Sequence, residues 1–165
     1  MITSLVKRVG LQPPARHPIS TTHDRSGLGV GSDRSEFLCL SDNKLGAIPE
    51  DISRLSLPAS LGELARLREL HVSNNALRAL PDSIGRLGEL RILDLRNNHI
   101  EALPASVGDL RTLLYLDLRA NALTTLPDTI GDLPRLQKLD LRWTHVDGTP
   151  SCVTRLEQRG CVVLR

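Results

Sequence analysis

The chain has 165 residues, 40% apolar and 24% charged, with a formal net charge of +2. That balance makes no electrostatic case for nucleic acid or an anionic membrane surface as partner, and no run approaches the roughly 18 apolar residues of a spanning helix. With one Phe, one Trp and one Tyr, a core of the size this length permits must be built from Leu, Ile, Val and Ala, which points to a repetitive packing scheme.

The opening MITSLVKRVGLQPP lacks the apolar run of a secretory signal. Cys39, Cys152 and Cys161 are odd in number and lack metal-ligand spacing, which suits reduced thiols. A cytoplasmic location follows as the expectation, with neither cofactor nor metal. Arg outnumbers Lys 18 to 3; codon bias accounts for this more readily than bidentate carboxylate recognition does.

Residues 1–34 read as an irregular segment. Ile2, Leu5, Val6 and Val9 share one helical face, with Gly10 as a stop. This short helix could cap the first coil, or serve as a partner-binding or delivery element. GLGVGSD (27–33) has alternating glycines but neither a preceding strand nor a following helix, so it is a linker rather than a phosphate loop.

From Ser35 a repeating register begins, with Leu38, Leu40, Asn43, Leu45, Ile48, Pro49, Ile52 and Leu55. Within it one phrase occurs twice, IPEDISRL and then LPASLGEL. The second copy lacks a strand half, so 35–66 is expected to be one irregular repeat with an enlarged return over 47–66. Its joint to the regular array, which starts at Leu67, should be the weakest.

Four gapless segments of equal length follow: LRELHVSNNALRALPDSIGRLGE (67–89), LRILDLRNNHIEALPASVGDLRT (90–112), LLYLDLRANALTTLPDTIGDLPR (113–135) and LQKLDLRWTHVDGTPSCVTRLEQ (136–158). Apolar residues occupy repeat positions 1, 4, 6, 11, 14, 18 and 21. The pattern L-x-x-L-x-L-x-x-N-x-L with L-P-x-x-I-G-x-L resembles the leucine-rich repeat family, in its 23-residue intracellular class. The resemblance covers 67–158 fully and 35–66 in part. It implies a recognition module.

The residues lead independently to the same architecture. Positions 4 and 6 alternate with polar 3, 5 and 7, giving a short strand buried on one face. Asn43, Asn75, Asn98 and Asn121 stand at position 9, where an inward amide can satisfy turn backbone groups. Pro81, Pro104 and Pro127 open the return, and Gly85, Gly108 and Gly131 permit close approach of neighbouring coils. No single coil buries its apolar side chains alone. The predicted fold is an α/β leucine-rich repeat solenoid, a short right-handed horseshoe with parallel strands on its concave face and helical or extended returns on its convex face.

Segment 136–158 degrades, with Thr144, Thr149 and Thr154 replacing Asn, Leu and Gly. Residues 159–165 are expected to add an edge strand and cap, with Val162 and Leu164 facing inward.

Stacking turns outward positions into columns. Position 3 reads Glu69, Ile92, Tyr115, Lys138; position 5 reads His71, Asp94, Asp117, Asp140. Position 7 contributes Arg96, Arg119 and Arg142, and position 8 contributes Trp143. Three aspartates at strand spacing repel, and the parallel Arg column can offset that. These residues form either a self-neutralising ladder, a docking strip with Tyr115 and Trp143 as anchors, or both. No Ser-His-Asp order is present, and His99 and His145, two coils apart, are too distant to share a metal. The expected function is a non-enzymatic protein-interaction module, scaffold or adaptor, binding a protein through the concave face as a monomer or weak homodimer. A bacterial effector or ligase-associated recognition domain is the alternative, and an enzyme using Cys152 or Cys161 a distant third.

Overall fold

The computed structural model describes residues 37–39, 41–42 and 66–165. Asn43, the N-terminal helix and linker, and the return over 47–66 save its last residue lie outside the described residues.

Six three-residue strands form one parallel sheet in chain order: β1 (Phe37–Cys39), β2 (Glu69–His71), β3 (Ile92–Asp94), β4 (Tyr115–Asp117), β5 (Lys138–Asp140) and β6 (Val162–Leu164). The registers pair Glu69, Ile92, Tyr115 and Lys138 in one row, so each repeat of sequence advances the chain by one strand. Phe37 joins the same row opposite Glu69. Thus β1 and β2 are direct neighbours, although more chain separates Phe37 from Glu69 than Glu69 from Ile92.

In β2 to β5 the apolar residue that points inward is the middle one. Leu70, Leu93, Leu116 and Leu139 are buried, as are Val72, Leu95, Leu118 and Leu141 two residues on. With the buried leucines at position 1 and Ile84, Val107, Ile130 and Val153 from the returns, they form a single aliphatic core. Each such side chain contributes about 1.5–3 kcal/mol on leaving water.

The returns run from an extended proline into a 3-10 turn. Asp82–Arg86, Ala105–Asp109 and Asp128–Asp132 follow Pro81, Pro104 and Pro127, whose φ lies between −71° and −66°. Proline fixes that angle and gives up an N–H the turn does not need. Glycine at position 19 allows the turns to stack. A Cβ on Gly108 would sit 2.6 Å from Thr129 Cβ, well inside contact distance.

Buried asparagines knit the coils together. Asn98 Nδ2 donates to Val72 O, Leu95 O and Arg96 O at 3.1, 2.8 and 3.2 Å, while its Oδ1 accepts from the Leu77 N–H. Asn121 repeats the set with Leu95 O, Leu118 O, Arg119 O and the Ile100 N–H. Each amide therefore satisfies backbone groups of its own coil and of the one before.

The last coil departs from this plan, and from the register the sequence suggests. Its return is an α-helix, α1 (Ser151–Gln158), beginning after Pro150. Gly160, at φ 86°, ends it: Gly160 N–H donates to Glu157 O and Cys161 N–H to Leu156 O, a Schellman stop. The added residue shifts β6 by one. Val162, not Cys161, pairs with Lys138, so the expected inward pair Val162 and Leu164 is wrong. Val163 turns toward the core, Leu164 is half-buried, and Val162 is 56% exposed.

Candidate functional site

The strand face presents its outward positions as the columns that the repeat implies. Position 5 sits at the end of each strand, and in β3, β4 and β5 its aspartate accepts from the N–H two residues on. Arg96 N–H, Arg119 N–H and Arg142 N–H donate to Oδ1 of Asp94, Asp117 and Asp140. The aspartates thus close the turn that leaves the strand, in the manner of an Asx-turn. Repulsion within the column is answered twice, by these N–H groups and by arginines.

The arginine pairing is staggered. Arg119 forks onto Asp117, with Nη2 2.6 Å from Oδ2, and its Nε lies 3.4 Å from Asp140 Oδ2 in the next coil. Arg142 Nη2 is 2.7 Å from the same Asp140 oxygen. Arg96 Nε is 3.6 Å from Asp94, which His71 Nδ1 also approaches at 3.6 Å. His71 Nε2 lies 3.2 Å from Glu69 at the far end of the strip.

Asp140 is the buried member, 2% exposed. Burial pushes its carboxyl up. Hydrogen bonds from the Arg142 side chain and N–H, with the Arg142 and Arg119 charges, outweigh that and hold it below the ordinary carboxylate value. The Asp117 hydrogen bond likewise raises the Arg119 guanidinium, and the Asp140 hydrogen bond that of Arg142. Asp140, Arg119 and Arg142 are therefore charged throughout the physiological range.

The remaining site residues stand apart from the ladder. Ile92 is half-buried. Tyr115 is 42% exposed and Lys138 is exposed. Trp143 is 71% exposed, with the Arg142 guanidinium 5.5 Å from its ring centroid.

Position 8 holds a feature that sequence reasoning missed. Asp42, Asn74, Asn97, Ala120 and Trp143 all have φ between 51° and 64°, the left-handed region. Asn and Asp tolerate it; Ala and Trp do so at a cost. The doubled Asn of SNN and RNN is the available signal, since only one amide is needed inside. The outer pair also bond each other, Asn97 Nδ2 to Asn74 Oδ1 at 2.8 Å.

Nothing among the described residues resembles a nucleophile with its base. Cys152 and Cys161 are buried, and burial raises both thiols above their ordinary value. Cys39 is exposed, 3.7 Å from Ser41 Oγ. Among the described residues no group of three or more His, Cys, Asp or Glu side chains could hold a metal ion, and no helix is long and apolar enough to cross a membrane.

Residues 50–122 match the family model described as a leucine-rich repeat region. A leucine-rich repeat protein of Leptospira interrogans superposes on 77% of the chain with a TM-score of 0.60 and 33% sequence identity. The chain is a leucine-rich repeat protein. A second solenoid with the same fold is the plant peptide hormone receptor RGFR1, solved in complex with RGF2, with a TM-score of 0.53 and 29% identity over 65% of the chain. The chain spans 36% of the first structure's length and 16% of the second's. No curated protein matches it.

As in any leucine-rich repeat array, an outward strand position recurs once per coil here, so single substitutions write a two-dimensional surface. In this chain that surface divides into a closed charge ladder along its midline and uncommitted side chains on its margins.

Proposed function

We propose that this leucine-rich repeat protein is a non-enzymatic interaction module, a scaffold or adaptor that docks a protein partner on its concave strand face. One observation carries the reading. The three large apolar side chains exposed among the described residues are Tyr115, Trp143 and Val162. Two stand on the strand face and the third at the turn leaving β5, and none lies on the returns. Trp143 also occupies a left-handed position that Asn74 and Asn97 fill without strain. Its exposed ring offsets none of that strain by burial within the fold, whereas Trp and Tyr are among the side chains that dominate interface energies. The plant receptor's complex with RGF2 supports the same use of the fold. A cytoplasmic setting is part of the proposal, supported by the free cysteines.

The test uses Tyr115→Ser/Trp143→Asn, which spares the ladder and the core. Affinity capture from native lysate with wild type and variant should show partners lost with the variant. Identical partner sets would remove the concave face from the account.

A further inference from the structure

We infer that the end of the concave surface around β5 receives an acidic protein segment, one carboxylate side chain flanked by apolar residues, seated on the row Tyr115–Lys138–Val162. This rests on the concave docking reading and names the partner's chemistry.

The registers place Lys138 directly between Tyr115 on β4 and Val162 on β6. Adjacent strands lie about 4.8 Å apart, so the row spans about 10 Å. Tyr115 and Val162 are 42% and 56% exposed, two of the three exposed large apolar side chains among the described residues. Between two apolar neighbours, a lysine sits in a local environment that favours recruiting a counter-charge.

The chain supplies none among the described residues. Every other charge at positions 3, 5 and 7 from β2 to the turn after β5 is paired. Glu69 faces His71, and Asp94, Asp117 and Asp140 face His71, Arg96, Arg119 and Arg142. The aspartates nearest Lys138 are occupied by arginine forks, and Asp140 is buried beneath them. The Lys138 side chain makes no ion pair or hydrogen bond among the described residues. The shifted register sets the row's membership: it stands Val162 beside Lys138, where the expected one would place Cys161 and turn Val162 inward.

A polyanion fits this surface poorly. Nucleic acid binding draws on several cations tracking successive phosphates. Here, among the described residues of the strip, one unpaired cation stands a strand away from Asp117, which carries the opposite sign. A single carboxylate in an apolar frame fits. Trp143, exposed at the turn that follows β5, offers a further apolar contact beyond the row.

A random-peptide library displayed on phage, panned against the immobilised full chain, tests this. Enriched peptides should carry Asp or Glu with aliphatic or aromatic residues on both sides. In fluorescence anisotropy, a synthetic copy should bind Lys138→Glu about tenfold more weakly than wild type. Replacing its acid by Lys should restore binding to that variant, which a folding defect would not allow. Enrichment of peptides without the acid, no enrichment, or affinity untouched by Lys138→Glu would overturn the proposal. So would displacement of the peptide by oligothymidylate at equal concentration. The docking reading fails separately: if Tyr115→Ser/Trp143→Asn binds the enriched peptides as wild type does, the concave face is not their site.

Discussion

Coils 67–135 and the last stretch, 136–165, share one template and solve its polar problem differently. In the middle, a backbone group that one coil leaves open is met by a neighbour. Asn98 and Asn121 each reach carbonyls of two coils, and Thr112 and Thr129 bond carbonyls of the coil before. In the last stretch that shared amide is gone. Thr144 Oγ1 reaches only Leu141 O, and α1 closes its own backbone bonds. Arg155 and Arg159 fold back onto Asp128 O, Gly131 O and Leu133 O. Translational symmetry lets side chains be small and shared; where it lapses, local helix and long guanidinium arms take over.

The sharpest way to test that contrast is Asn98→Ala against Thr144→Ala. The first leaves the Leu77 N–H without its partner and removes one of two hydrogen bonds from each of three carbonyls, and should cost on the order of 3 kcal/mol; the second removes one of two from the Leu141 carbonyl, about 1 kcal/mol. Urea denaturation of both gives the comparison, and equal losses would erase the distinction.

Next in size is Gly108→Ala, where the added methyl meets Thr129. A loss of about 2–3 kcal/mol is expected. Gly88→Ala, with nothing within 4 Å, should stay within about 0.5 kcal/mol of wild type by thermal melting.

Asp140→Asn should cost about 2 kcal/mol at neutral pH. The folded carboxyl lies below its unfolded value, so the stability it contributes is present above the ordinary carboxylate range. That stability disappears as pH falls through the depressed folded value. Stability measured down the acid limb should therefore decline less steeply in the variant, and parallel curves would show that Asp140 is not the group responsible.

Smallest, and opposite in sign, is Trp143→Asn, expected to raise stability by about 1 kcal/mol by relaxing the left-handed turn. Unchanged or lower stability would mean that the ring itself stabilises the fold.

The core is readable because burial repeats with the chain's own period: Leu70, Leu93, Leu116 and Leu139 follow from spacing alone. The asparagine at position 9 is readable from its chemistry. Two things are not. The left-handed residue at position 8 hides because Ala120 and Trp143 break the pattern that Asn74 and Asn97 set. The shift at β6 hides because counting in whole repeats assumes a 3-10 return; an α-helix rises about 1.5 Å per residue against about 2.0 Å and needs its own glycine stop. The Arg-Gly-Cys of 159–161 carries that signal. Of the concave strip, column membership is legible, while which charges are spoken for depends on rotamers and on the stagger between coils.

The shared asparagine bonds have a consequence for how such a chain can change length. Each middle coil offers its successor the same carbonyls that it takes from its predecessor. An unequal crossover that drops 90–112 would join surfaces that already fit, with Asn121 meeting Val72 O where it now meets Leu95 O. Arrays of this kind can gain or lose whole units by replication slippage. The junction between β5 and β6, where Lys138 pairs with Val162 instead of Cys161, has no interchangeable copy and must be inherited whole.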